Sequence, residues 1–154
     1  MTSIRSAPVR VAIVATVLVG LLAVAASPVG ASTTGPRAKM YRATNSSRTN
    51  HAVRRVDIHY RISKLVRRHS IAMARKGKLF HTANAGTKYL DGMNWHWWGE
   101  NVGVTQGTIR GLERAFMASP LHRANILNHD FRRVAVGTYR DDDGLLWVTV
   151  FFYG

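Results

Sequence analysis

Three side chains in this sequence combine a reactive type with an unusual setting: His81, Glu100 and His122. His81 follows Leu79 and Phe80, and Glu100 stands in "WWGENVG", directly after Trp97, Trp98 and Gly99. A carboxylate among tryptophans is costly to bury unless it is paired, and a histidine or a cation is the usual partner. His122 lies in "SPLHRANIL", where Ser119 is placed to cap a short helix and Pro120 to occupy its first position. The third position of that helix faces unpaired N–H groups and the positive dipole end, so the imidazole is expected to stay neutral near pH 7. A neutral imidazole has a lone pair with which to bind a metal, accept a hydrogen bond or act as a base. Separations of 19 and 22 residues are not a local ligand motif, so residue type and spacing alone leave this cluster open. Each histidine taken singly is more simply a buried, hydrogen-bonded group.

Other reactive residues have plainer readings. Ser119 and His122 resemble a nucleophile and its base, but capping already accounts for the serine and no orienting acid is in view. Arg123 projects about 100° around the helix from His122 and is expected to serve structure or surface pairing. His69 falls on an apolar helical stripe and is expected to bond to backbone. His96, between Trp95 and Trp97, fits an aromatic rim or simple packing. Asp141, Asp142 and Asp143 precede Gly144 as an ordinary acidic turn rather than a calcium loop.

The elements that must position these residues follow from apolar periodicity. From Thr49 to Lys76, Val53, Val56, Tyr60, Ile62, Leu65, Val66, His69, Ala72 and Met73 recur at steps of three and four, predicting one helix broken near Asp57 or two in succession. Gly77 is placed to end it. The stretch from Lys78 to Gly107 is punctuated by glycine and holds three of the four tryptophans, which predicts a folded loop ending in a short strand at Asn101 to Val104. Thr108 fits the cap of a further helix carrying Ile109, Leu112, Ala115 and Phe116 on one face, which Pro120 obliges to stop near Ala118. "RRVAVGTY", the turn "RDDDG" and "LLWVTVFFYG" form a hairpin whose last strand is apolar on both faces, so layers are needed above and below it.

Length and composition bound the rest. In a chain of 154 residues, Arg5 and Arg10 precede an apolar stretch from Val11 to Ala26, with Val29 and Ala31 at cleavage-compatible spacing. This reads as a signal peptide over residues 1–31, and the stretch is short of the roughly 20 residues of a membrane anchor. Ala31 to Ser47 is rich in Ser, Thr, Gly, Pro and basic residues without an apolar period, so residues 32–47 are expected to form a flexible linker and residues 48–154 the folded domain. There is no cysteine, so packing, alone or with a bound ion, must hold that domain. Thirteen of the 22 Lys and Arg residues lie between Arg37 and Lys78, where Asp57 is the one acid. Such a field suits an anionic envelope polymer or lipid surface, and no motif for specific nucleic-acid recognition accompanies it.

Taken together, "AMARKGKLFHT", "WWGENVGV" and "FMASPLHRANILNHDFRRVAVGTY" resemble successive signatures of the bacterial branch of the CAP superfamily. This is the group of cysteine-rich secretory proteins, antigen 5 and plant pathogenesis-related proteins, also called SCP domains, and the resemblance covers most of Thr49 to Gly154. It implies an α+β fold, a three-layer α-β-α sandwich with a small antiparallel sheet. It also implies a cleft in which His81 and His122 match the two histidines, able in some members to hold zinc or another divalent ion, and Glu100 matches the acid of "GEN". Asn101, Ser119 and Asn125 match supporting positions of the motifs. The family's second acid follows a tryptophan; here Phe116 holds that place, no acid follows before His122, and Glu113 is expected to point elsewhere. The expectation is therefore a secreted, monomeric binding module with no catalytic residue assigned, taking a divalent ion or small ligand. The alternatives are a metal-assisted hydrolase of envelope or peptide substrates with Glu100 as base, and a purely electrostatic binder of anionic polymers.

Overall fold

The computed structural model describes residues 34–154, so the leader expected over residues 1–31 lies outside the described residues. Three layers form. Strand β4, Leu146–Tyr153, runs through the middle of the sheet and is buried along its whole length. It pairs antiparallel with β3, Arg133–Arg140, on one side and with β2, Trp98–Thr105, on the other. A two-residue strand β1, Asp57–Ile58, adds to β3 in parallel, giving the order β1-β3-β4-β2. The small antiparallel sheet thus carries one short parallel edge.

The alternation of β4 divides the core in two, because successive strand side chains point to opposite faces. Phe151 and Tyr153 meet Ile62 and Val66 of helix α2, Tyr60–Lys76, and Tyr89 and Leu90 of the short helix α3, Ala85–Leu90. Leu146, Val148, Val150 and Phe152 meet the opposite layer, which holds α1, Pro36–Asn50, α4, Ile109–Ala118, and α5, Pro120–Leu127. Burying a side chain such as Phe151 or Phe152 contributes about 2 to 3 kcal/mol.

Helix α2 forms where the apolar period is cleanest. Ile62, Val66, His69 and Met73 turn inward, Arg61, Lys64, Arg67, Arg68, Arg75 and Lys76 outward, and Gly77 ends the helix in the left-handed conformation. The helix lies directly on β3 at Gly137, where a Cβ would stand 2.5 Å from the Arg67 nitrogen. Val53 and Val56 are buried too, but from the non-helical segment between α1 and β1, so the period over 49–76 spans two structures rather than one.

The expected linker over residues 32–47 is corrected from Pro36 onward, and the domain boundary at residue 48 moves with it. Residues 36–50 form α1, which packs on α4, β3 and α5. Its inner face is Met40, Thr44, Asn45 and Arg48, a stripe with one apolar residue in four. Polar groups replace the apolar ones because each finds partners. Asn45 accepts from the Val56 N–H at 2.9 Å and donates to the Val56 carbonyl at 3.0 Å. The fully buried Arg48 donates to the carbonyls of Arg54 at 2.6 Å, Ile126 at 2.7 Å, Asn128 at 3.0 Å and Phe131 at 3.3 Å.

Candidate functional site

Strand β2 is an edge of the sheet, longer than the expected strand at 101–104, and its side chains alternate between layers. Glu100 faces the α2 and α3 side, and Asn101 faces α5. The Glu100 carboxylate is buried and holds three donors. Its Oε2 accepts from the Thr82 N–H at 2.9 Å and from His81 Nδ1 at 3.0 Å, and its Oε1 accepts from the Thr82 hydroxyl at 2.8 Å. That hydroxyl also contacts the Tyr89 hydroxyl at 2.9 Å. Since a carboxylate oxygen can only accept, Nδ1 of His81 must carry its proton, which leaves the Nε2 lone pair of the neutral ring free. The His81 side chain is 63% exposed, against 1% for Glu100.

On the other side of β2, α5 presents His122. Ser119 holds the N-cap position in extended geometry, but its hydroxyl makes no bond to the helix N–H groups. It bonds instead to His122 Nδ1 at 2.9 Å, which corrects the expectation that capping accounts for this serine. Thr108, by contrast, caps α4 through the Gly111 N–H at 3.0 Å. With Nδ1 taken, Nε2 is the His122 nitrogen left for a ligand. The ring packs against Phe116, centroids 5.0 Å apart. Burial first, and the charge His81 would carry second, hold the imidazole below the ordinary histidine range. The neutral state expected from the helix terminus is thus favoured, by desolvation and a neighbouring imidazole.

Two asparagines fix this junction. Asn101 donates to the His122 carbonyl at 3.0 Å, and Asn125 donates to Asn101 Oδ1 at 2.9 Å and to the Glu100 carbonyl at 3.3 Å. Gly99 admits Asn125, since a Cβ there would stand 2.5 Å from the asparagine oxygen. Trp97 and Trp98, which precede Gly99, and Leu121, which precedes His122, are exposed apolar side chains, 62%, 42% and 82% accessible. His96 is exposed as well, His69 bonds the Phe80 carbonyl at 2.7 Å, and Asp141 is occupied within its turn by Leu145 N–H and Trp147 Nε1. Glu113 points to α1, where Thr44 donates to it at 3.3 Å.

Thr82 and Tyr89 are the site groups that sequence reasoning missed, whereas Ser119 was singled out but assigned to the helix cap. The "HT" at 81–82 was a usable signal for the first of these, since a threonine beside a carboxylate-bound histidine offers both an N–H and a hydroxyl to the same carboxylate.

A family model described as the cysteine-rich secretory protein family, CAP, matches residues 41–152. The chain belongs to the CAP family. An uncharacterized protein of Bacillus subtilis, YkwD, is 29% identical over 118 residues, which are 73% of this chain and 45% of that one. This CAP chain therefore spans less than half the length of that relative. Among solved structures, an extracellular SCP-domain protein of Bacillus anthracis superposes with a TM-score of 0.65 at 20% identity, over 77% of this chain and 40% of that one. An outer surface protein of Borrelia burgdorferi gives 0.66 at 15% identity, over 79% of this chain and 93% of that one. A cysteine-rich secretory protein of Staphylococcus aureus gives 0.61 at 19%, over 77% and 38%. These likenesses establish the α-β-α fold. No helix among the described residues is long and apolar enough to cross a membrane.

Proposed function

We propose that this CAP domain is an extracellular binding module whose cleft takes a small polar ligand or a divalent ion between His81 and His122. The observation that carries the reading is the immobilisation of Glu100. With a backbone N–H, a hydroxyl and an imidazole N–H all directed at it, the carboxylate orients His81 rather than facing a reacting group. A carboxylate held this way sharpens a neighbouring imidazole as a donor of its other lone pair, as carboxylates do behind metal-bound histidines. The same geometry argues against a hydrolase with Glu100 as base, because a general base needs an oxygen free to reach the water it deprotonates.

The donor set is compatible with zinc only as a weakly held ion. Structural zinc takes four protein ligands and catalytic zinc three, and among the described residues no group of three His, Cys, Asp or Glu side chains is arranged to hold a metal. Nε2 of His81 and Nε2 of His122 would hold the ion, which would supply a positive charge to an anionic or carbonyl oxygen of the ligand. The exposed Lys and Arg residues of α2 would keep the module near an anionic envelope polymer or lipid surface, and the extracellular and outer-surface descriptions of the structural neighbours support that setting. Calorimetric titration of zinc into wild type and a His81→Ala, His122→Ala double variant tests the ion. Saturable binding lost in the double variant is the expected result, and indistinguishable weak binding in both removes the ion from the account.

A further inference from the structure

Helix α4 turns Ile109, Leu112 and Phe116 to the sheet and Glu113 to α1. Glu113 is 4% exposed. Its Oε2 accepts from the Thr44 hydroxyl at 3.3 Å, while Oε1 is buried with no hydrogen-bond partner. Burial pushes this carboxyl up from its ordinary range. An acceptor left unsatisfied in this way costs about 1 to 3 kcal/mol, so an apolar residue would serve packing better.

Glu113 is also among the residues lining an open cavity of about 1070 Å³ between α1 and α4, its carboxyl at the bottom beneath the surface. Lys39, Arg110 and Arg114 stand exposed around it, and none pairs with a carboxylate among the described residues. Neither His81 nor His122 lines it. The floor therefore calls for a hydrogen-bond donor and the rim for an anion. An ammonium donor would have to pass three cations, whereas a hydroxyl carries no such penalty. Clustered arginines favour a phosphate, which offers several oxygens to their forked N–H groups.

We propose that the α1–α4 groove is a second binding site, taking a polyol phosphate unit with a hydroxyl on Glu113 and the phosphate on Lys39, Arg110 and Arg114. The unit can belong to a free or polymeric polyol phosphate or to a glycerophospholipid head group, and the site does not depend on the histidine cleft. It also explains why α1 carries a hydroxyl on its inner face, since Thr44 holds the carboxyl in place for the ligand.

The test is calorimetry on the full 154-residue chain with glycerol 3-phosphate and inorganic phosphate as separate probes, together with flotation on phosphatidylglycerol vesicles. Glycerol 3-phosphate is expected to bind about tenfold or more tightly than inorganic phosphate, the hydroxyl to Glu113 supplying the difference. Arg110→Ala with Arg114→Ala, both at exposed positions, is expected to weaken it about tenfold or more, and the His81→Ala, His122→Ala pair to leave it unchanged. Glu113→Gln, with folding checked by circular dichroism, should erase the preference over inorganic phosphate. Vesicle binding that is lost in Glu113→Gln, without binding of the free compound, places the ligand in the lipid head group. Equal affinity for the two free probes without Glu113-dependent vesicle binding, or binding indifferent to the Arg110 and Arg114 changes, overturns the proposal.

Discussion

Helices α1 and α2, on opposite faces of the sheet, are held in the domain by different means. On one face, α2 presents Ile62, Val66 and Met73 to the strands and keeps its cations in solvent. On the other, α1 reaches inward with Thr44, Asn45 and Arg48, and its adhesion is hydrogen bonding to backbone. The difference teaches where this domain can place chemistry. The apolar layer supplies a rigid floor beneath Glu100 and His81. The layer of α1, α4 and α5 adds oriented carbonyls, asparagines and hydroxyls to its own apolar cluster, and it is there that His122, Ser119 and Glu113 are found.

The contrast can be broken at single positions. Arg48→Ala should have the largest effect, since it leaves four backbone carbonyls without their guanidinium and detaches α1 from the end of α5. A loss of about 4 kcal/mol in urea unfolding is expected, in the range for dismantling a buried charged network. A loss under about 1 kcal/mol would show that α1 is held by something else. Gly137→Ala attacks the apolar layer instead. Its Cβ would stand 2.5 Å from Arg67 N and 2.6 Å from the Val66 carbonyl carbon, both backbone atoms that cannot rotate aside. Overpacking of this kind is expected to cost about 2 to 3 kcal/mol, and a melting temperature unchanged from wild type would contradict the close approach of α2 and β3.

The same contrast explains what could be read in the sequence. Helix α2, the Thr108 cap, the Ser119-Pro120 restart and the buried last strand were legible because each follows from a local pattern: a period, a cap, a proline or an apolar run. Helix α1 was not, since its inner face satisfies polar groups with partners up to 83 residues away, and no local pattern announces that. The family motifs pointed to His81, Glu100 and His122 and to Asn101, Ser119 and Asn125 beside them, but not to Thr82 and Tyr89. Thr82 reaches Glu100 only because β2 passes beside it, and the Ser119 hydroxyl had two satisfactory partners within one helical turn, of which it takes the imidazole rather than the backbone.

Everything proposed for the cleft requires that His81 and His122 act on one another across the edge of β2. Burial and the charge of His81 both depress His122, so its contribution to stability is present above the ordinary value of 6.5 and is lost as pH falls through the lower folded value. The most direct measurement is the His122 titration followed by NMR of its ring protons, in chelator-treated wild type and in His81→Asn. The account predicts a wild-type pKa below 6.5 that rises, but does not fully recover, once the neighbouring charge is gone. A His122 pKa identical in the two proteins would place the imidazoles in separate environments and contradict the shared cleft.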